Sequence, residues 1–286
     1  MKENFMLLGE RTFSMRKLLL ILVGAVFAAG ALHAPASAEL NLWVSYHFGG
    51  TSAYHDGEYQ GAQALLERAL DETRTAYRRG DSYERLGATY AALGKFQEAE
   101  GAYREALRLK ESSLGSRHRE IASILNNLAD LAYLLDKHGE TEALYRRALD
   151  INRRDQWNLE VARSLNGLAL VHNDAGEYVE AENHLLRAVE IHEKGMRRNS
   201  PYLATAVTNL GILYTNLGRY EEAEAQFIRA GYIHDAELRD DHPDVAVRLH
   251  ATAALYQSTG RLPEAIAMAQ EAESIREKQA AKGNLY

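Results

Sequence analysis

The side chains of this sequence that could do chemistry are its histidines, its acidic pairs and its arginine pairs. Eleven histidines are present. His184 and His192 lie eight residues apart in a stretch of helical periodicity. That is two turns, roughly 12 Å along the axis, too far to share one metal ion without a third element between them. His234 and His242 flank a loop that also holds Asp235, Asp240 and Asp241, a loose cluster of the kind that water solvates. Glu221-Glu222 and similar pairs fall on the polar side of amphipathic helices. No Gly-rich phosphate loop, nucleophile elbow or zinc motif occurs. Cysteine is absent, which excludes disulfides, thiolate metal sites and a lipid-modified cysteine tether. We therefore expect neither an enzyme nor a bound metal or cofactor. Arg78-Arg79, Arg146-Arg147, Arg153-Arg154 and Arg197-Arg198 fall mostly late in helices or just after them. Cations suit the helix carboxyl end, and this reading outweighs anion binding.

What must position these residues is a repeated phrase. Gly94-Lys95-Phe96-Gln97-Glu98-Ala99-Glu100 returns as Gly176-Glu177-Tyr178-Val179-Glu180-Ala181-Glu182 and as Gly218-Arg219-Tyr220-Glu221-Glu222-Ala223-Glu224. Aligned on its first residue, the chain divides into six units with loop residues Gly57, Gly94, Asp136, Gly176, Gly218 and Gly260, spaced 37, 42, 40, 42 and 42 apart. Before each loop stands an apolar pattern at helical spacing, such as Val207, Leu210, Gly211 and Tyr214. A second such pattern follows, such as Tyr220, Ala223, Phe227 and Ala230. Each unit is thus a helix, a tight turn and a helix, and a period of this length means stacked copies of one motif. Loop glycines can take the left-handed conformation that ends a helix, and Asp136 is a tolerated substitute. Gly87 and Gly211, inside first helices, mark close approach of the partner helix. The third unit, with His138 at the aromatic place and Thr141 for Ala, is expected to pack more loosely. Gly49-Gly50 is expected to weaken the first helix of a degenerate first unit.

The pattern resembles the tetratricopeptide repeat family, in the variety of about 42 residues per unit found in kinesin light chains and many bacterial proteins. The residues that carry the resemblance are Ile124-Leu125-Asn126-Asn127-Leu128-Ala129, Ala143-Leu144-Tyr145-Arg146-Arg147-Ala148-Leu149-Asp150-Ile151 and Asp241-His242-Pro243-Asp244-Val245-Ala246. It covers roughly residues 43–279. It implies an all-α fold, a right-handed superhelical solenoid of about six helix-turn-helix repeats. Residues 1–38 form an extension and leader, 39–79 the degenerate first repeat, and 80–286 five repeats with a C-terminal helix.

The resemblance also implies that first helices line a concave groove where a protein or peptide lies. Carried over by position, the groove residues are Arg85, Asn126, Asn127, Arg163, Asn166, Thr208, Asn209, Asn216 and His250. Asn can donate to and accept from a peptide backbone, and Arg85 and Arg163 can fork onto carboxylates. A clamp for an acidic carboxyl-terminal peptide is matched at Asn127 and Arg163 only. Glu84, Ala88 and Gly167 stand at its other three places and cannot supply the charge. The alternative is a self-assembling protein forming homo-oligomers, because no extra capping helix follows Pro263 to about Lys282.

Composition sets the remaining bounds. The formal net charge is −7, which argues against nucleic acid as a partner. Met15-Arg16-Lys17 precedes an apolar run from Leu18 to Leu32 and the small-residue site Ala34-Pro35-Ala36-Ser37-Ala38. This reads as a secretory signal peptide cut after Ala38, with Met15 as the functional start. The expected location is periplasmic or secreted, without membrane insertion after cleavage. The alternative is an inner-membrane anchor at residues 18–34, although the run is short for a span of roughly 20 residues.

Overall fold

A computed structural model describes residues 35–155, 157–195 and 200–281, without the side chains of residues 35–41, 201 and 237. The leader run Leu18–Leu32 lies outside the described residues, and Ala38, the expected cut, falls in the first turn of the first helix. Twelve helices and no strands make up the described residues, paired in chain order. They are α1 (Pro35–His55) with α2 (Tyr59–Asp71), α3 (Ala76–Ala92) with α4 (Phe96–Leu114), and α5 (Arg119–Leu134) with α6 (His138–Asn152). Then come α7 (Leu159–Asp174) with α8 (Tyr178–Lys194), α9 (Pro201–Asn216) with α10 (Tyr220–Glu237), and α11 (Pro243–Ser258) with α12 (Leu262–Ala281). Because α3 starts at Ala76, the second unit takes in Arg78 and Arg79. No described helix is long and apolar enough to cross a membrane.

The six loop residues all adopt positive φ: Gly57 80°, Gly94 71°, Asp136 55°, Gly176 77°, Gly218 71° and Gly260 77°. Each turn closes the same way. The Lys95 amide donates to the Tyr90 carbonyl at 2.8 Å, and Arg219 and Arg261 repeat this toward Tyr214 and Tyr256. The left-handed residue lets the chain reverse while satisfying carbonyls that the helix end would otherwise leave open. Four of the first helices begin on a side-chain cap: Asn158 accepts from the Glu160 amide at 2.9 Å for α7, and His118, Ser200 and His242 do the same for α5, α9 and α11.

The core is a series of apolar clusters between paired helices along the stack. A Cβ on Gly87 would sit 2.6 Å from Tyr103, and one on Gly211 would sit 2.6 Å from Phe227. These are the close approaches expected of mid-helix glycines. Gly50 makes the same approach to Leu66, and α1 runs unbroken to His55. The helix expected to weaken at Gly49-Gly50 thus continues through both glycines, and Gly50 is a close-packing position. Nor does the third unit loosen. Thr141 is fully buried where its neighbours have Ala, and its hydroxyl donates to the Lys137 carbonyl at 3.0 Å. The extra polar atom thus finds a partner inside the helix, which removes the cost of burying it.

Candidate interaction groove

Along the inward faces of the first helices, polar side chains of one unit meet those of the next. Buried Asn126 donates to the Glu160 carbonyl at 3.1 Å and to its carboxylate at 2.8 Å, and accepts from Ser164 at 2.7 Å. Asn127 accepts from the Arg163 guanidinium at 2.7 Å and donates to Glu84 at 3.4 Å. Arg163 also pairs with Asp130, which accepts from the Tyr145 hydroxyl. Asn209 donates to Asn166 at 2.9 Å, and Asn216 to Asn173 at 3.0 Å. Ser123 donates to Glu84 at 3.2 Å. Burial raises the Glu84 carboxyl above its ordinary range, with Lys110, Arg85 and the Ser123 hydrogen bond opposing the shift.

The nine residues expected in the groove therefore divide. Asn127, Arg163, Asn166, Asn209 and Asn216 brace adjacent units through side-chain hydrogen bonds. Asn126 is a correction: with no exposed surface it holds α5 against α7 and cannot reach a ligand. Thr208 is another, 3% exposed, with no hydrogen-bond partner for its hydroxyl among the described residues. Asn126 lies on the flank where one first helix packs on the next. Helical spacing alone does not separate that flank from the groove face one residue away. Arg85 and His250 are exposed, and neither side chain has a hydrogen bond or ion pair among the described residues.

A cavity of about 280 Å³ opens where α9 meets α11. Ile212, Val247 and Ala254 line it, with Asn216, His250 and Arg276 around them. Val247 is 51% exposed. Val247 and Arg276 were not among the residues nominated from sequence. Arg276 belongs to a second helix, so no first-helix pattern points to it.

The repeated phrase forms a different set of contacts. Its final Glu takes the cation that follows the next unit's loop residue: Lys137 to Glu100 at 2.8 Å, Arg219 to Glu182 at 2.9 Å and Arg261 to Glu224 at 2.7 Å. The Tyr214 and Tyr256 hydroxyls donate to the same carboxylates, and the guanidiniums of Arg219 and Arg261 lie over these rings at 4.1 and 3.9 Å. At the fourth unit Glu177 replaces the cation and pairs with His172, while Glu142 turns to Arg146 in its own helix. Buried Lys110 reaches Asp81 and, at 2.6 Å, Glu120, with the Tyr77 ring 3.9 Å away. Burial opposes its charge, but hydrogen bonds to the two carboxylates hold its pKa above the ordinary lysine value.

Among the described residues no three His, Asp or Glu side chains come together as a metal site. His184 packs on the His172 ring at 5.3 Å, His192 is buried near Tyr202, and His234 is 1% exposed. Arg147 pairs with Glu111, Arg153 with Asp150 at 3.9 Å, and Arg78 covers the Trp43 ring at 5.3 Å.

Paired helices stacked in chain order and closed by left-handed turns define an α-solenoid of helix-turn-helix repeats. The chain belongs to the tetratricopeptide repeat family, whose model matches residues 78–154, 160–230 and 202–278. No curated protein matches it at a significant level. Its fold is similar to that of the crystal structure of BtubC (BKLC) from P. vanneervenii, with 23% identity and TM-score 0.56, over 85% of this chain and 92% of that one. It is also similar to kinesin light chain TPR-like repeats from Podosopora anserina, with 22% identity and TM-score 0.54, over 73% of this chain and 99% of that one. A Rap protein complexed with competence and sporulation factor gives 16% identity and TM-score 0.65, over 93% of this chain and 82% of that one.

Proposed function

We propose that this protein is an exported, non-enzymatic scaffold that binds an extended segment of a partner protein in its concave groove. The observation that carries the reading is the open part of that face: exposed Arg85 and His250, without hydrogen-bond or ion-pair partners among the described residues, and the cavity between α9 and α11. Around them the polar braces hold the groove in one shape, which lowers the ordering cost of binding. Family membership and a structural neighbour held with a factor support the same reading. The leader-like residues 16–38 support export, to a periplasm or to the medium. Amino-terminal sequencing of the protein from its source cells is expected to begin at Glu39. A protein still carrying residues 18–34 would favour the anchored form instead.

The groove is tested by placing a photo-crosslinking benzoylphenylalanine at Arg85 or His250, and at exposed second-helix positions Leu186 or Ile228, in the source cells. Partner adducts are expected at the first pair. Adducts confined to the second pair would overturn the groove reading.

A self-assembling protein is the second reading, and the end of the stack favours it. Leu262 and Ile266 of α12 are 56% and 57% exposed, although Ala272 and Ile275 are buried against α11. Light scattering after size exclusion decides: a strict monomer at tens of micromolar removes this alternative.

A further inference from the structure

We infer that the cavity between α9 and α11 is a specificity pocket for a partner peptide in which an aliphatic side chain stands beside a carboxylate. This deepens the groove reading and rests on it. Elsewhere in the groove the braces consume the polar atoms: Asn127, Arg163, Asn166 and Asn209 are bonded to one another, to Glu84 or to Asp130. They leave little for a ligand in the middle of the face.

At the carboxyl-terminal end three complementary features come together. Ile212, Val247 and Ala254 give the cavity an apolar wall, and its volume of about 280 Å³ accepts one branched side chain with adjoining backbone. Asn216 spends one amide hydrogen on Asn173. Its carbonyl oxygen and second hydrogen stay available to a peptide backbone. Among the described residues Arg276, at the cavity, has only a loose in-helix contact to Glu273, 3.6 Å away with both side chains about half exposed. Exposed His250 lines the same opening. The cation of Arg276 beside this apolar cavity selects for an anionic ligand. An aliphatic residue enters the wall, the backbone meets Asn216, and a neighbouring Asp or Glu reaches Arg276.

The test uses fluorescein-labelled nonapeptides of Gly, Ser and Asn with a central Leu-Glu, Leu-Lys or Ser-Glu pair, read by fluorescence polarisation. A charge-assisted hydrogen bond predicts that Leu-Glu binds about tenfold more tightly than Leu-Lys. Loss of the buried leucine weakens Ser-Glu by a similar factor, about tenfold. Arg276→Glu should reverse the preference to Leu-Lys. Ala254→Trp, at an exposed position, should abolish both while leaving the circular dichroism unchanged. Equal binding of the three peptides, or an unchanged preference in Arg276→Glu, overturns the pocket, as does Leu-Glu binding that survives Ala254→Trp. If the Arg85 and His250 crosslinks to a partner persist in Ala254→Trp, the groove stands and the pocket falls. If those crosslinks are absent from the wild-type protein, both fall. Should they join two copies of this chain, the occupant is a second copy and the pocket assignment is overturned.

Discussion

At the scale of the residue, Lys110 bears the most concentrated electrostatic load. It lies beneath Gly80, whose missing Cβ leaves it space, and its ammonium joins Asp81 of α3 to Glu120 of α5. Removing Lys110 leaves two carboxylates that are partly exposed, so Lys110→Ala should cost about 1–3 kcal/mol by urea denaturation. A cost near that of a surface lysine would show that water already solvates the pair. Glycines offer a paired comparison. Gly211→Ala drives a methyl against buried Phe227 and should destabilise by about 1–3 kcal/mol despite the better helix propensity. Gly101→Ala, on the exposed side of α4 with nothing nearby, should stabilise by about 1 kcal/mol. Thermal melts of both variants check the signs. The close approach at Gly211 was legible, because a glycine in a helix interior needs a packing reason. The buried Lys110 was not: lysine on an amphipathic helix ordinarily marks the solvent side, and only the facing Gly80 reverses that.

At the scale of the element, the clamp between the repeated phrase and the next loop is broken once. Glu177 stands where Lys137, Arg219 and Arg261 carry a cation, and it faces the place of Glu142 across the junction of the third and fourth units. Glu177→Arg should restore the clamp and raise stability by about 0.2–1 kcal/mol, the range of exposed pairs. The gain should vanish in Glu142→Ala and fade at about 1 M salt. A gain that survives both controls would have another origin. The sequence told turn and packing positions apart from solvated ones, since those follow from local backbone needs. It did not show that the phrase's last Glu reaches into the following unit. That contact spans about one repeat and exists only once neighbouring turns are stacked.

At the scale of the whole molecule, buried imidazoles distributed along the stack set a pH response. Burial holds the rings of His47, His184, His192 and His234 below the ordinary histidine value. Around His234, Arg248 and His242 lower the pKa further, while Asp244 and Asp235 partly oppose them. Neither ring nitrogen of His234 has a hydrogen-bond partner among the described residues. The unfolded chain therefore takes up protons below pH of about 6.5 that the folded chain refuses. Stability should fall as pH drops from about 7 toward 5, and rise with pH across that window. Denaturation at stepped pH reads the slope directly. His234→Leu should flatten it, and an unchanged slope would move the effect to the other histidines.

The sequence by itself determined the repeat, its period, the six turns and the helix pairing. Each rests on near-neighbour requirements: a left-handed residue to end a helix, apolar residues three and four apart, and alanine or glycine where helices touch. Tertiary structure decided what the polar inner residues do. Whether Asn126 meets solvent or Glu160, and whether Arg276 reaches the concave side, depends on the angle at which one unit stacks on the next. That angle is set by all the contacts of the interface together. No single stretch of chain encodes it, so the repeat was legible while the contacts between units had to be seen.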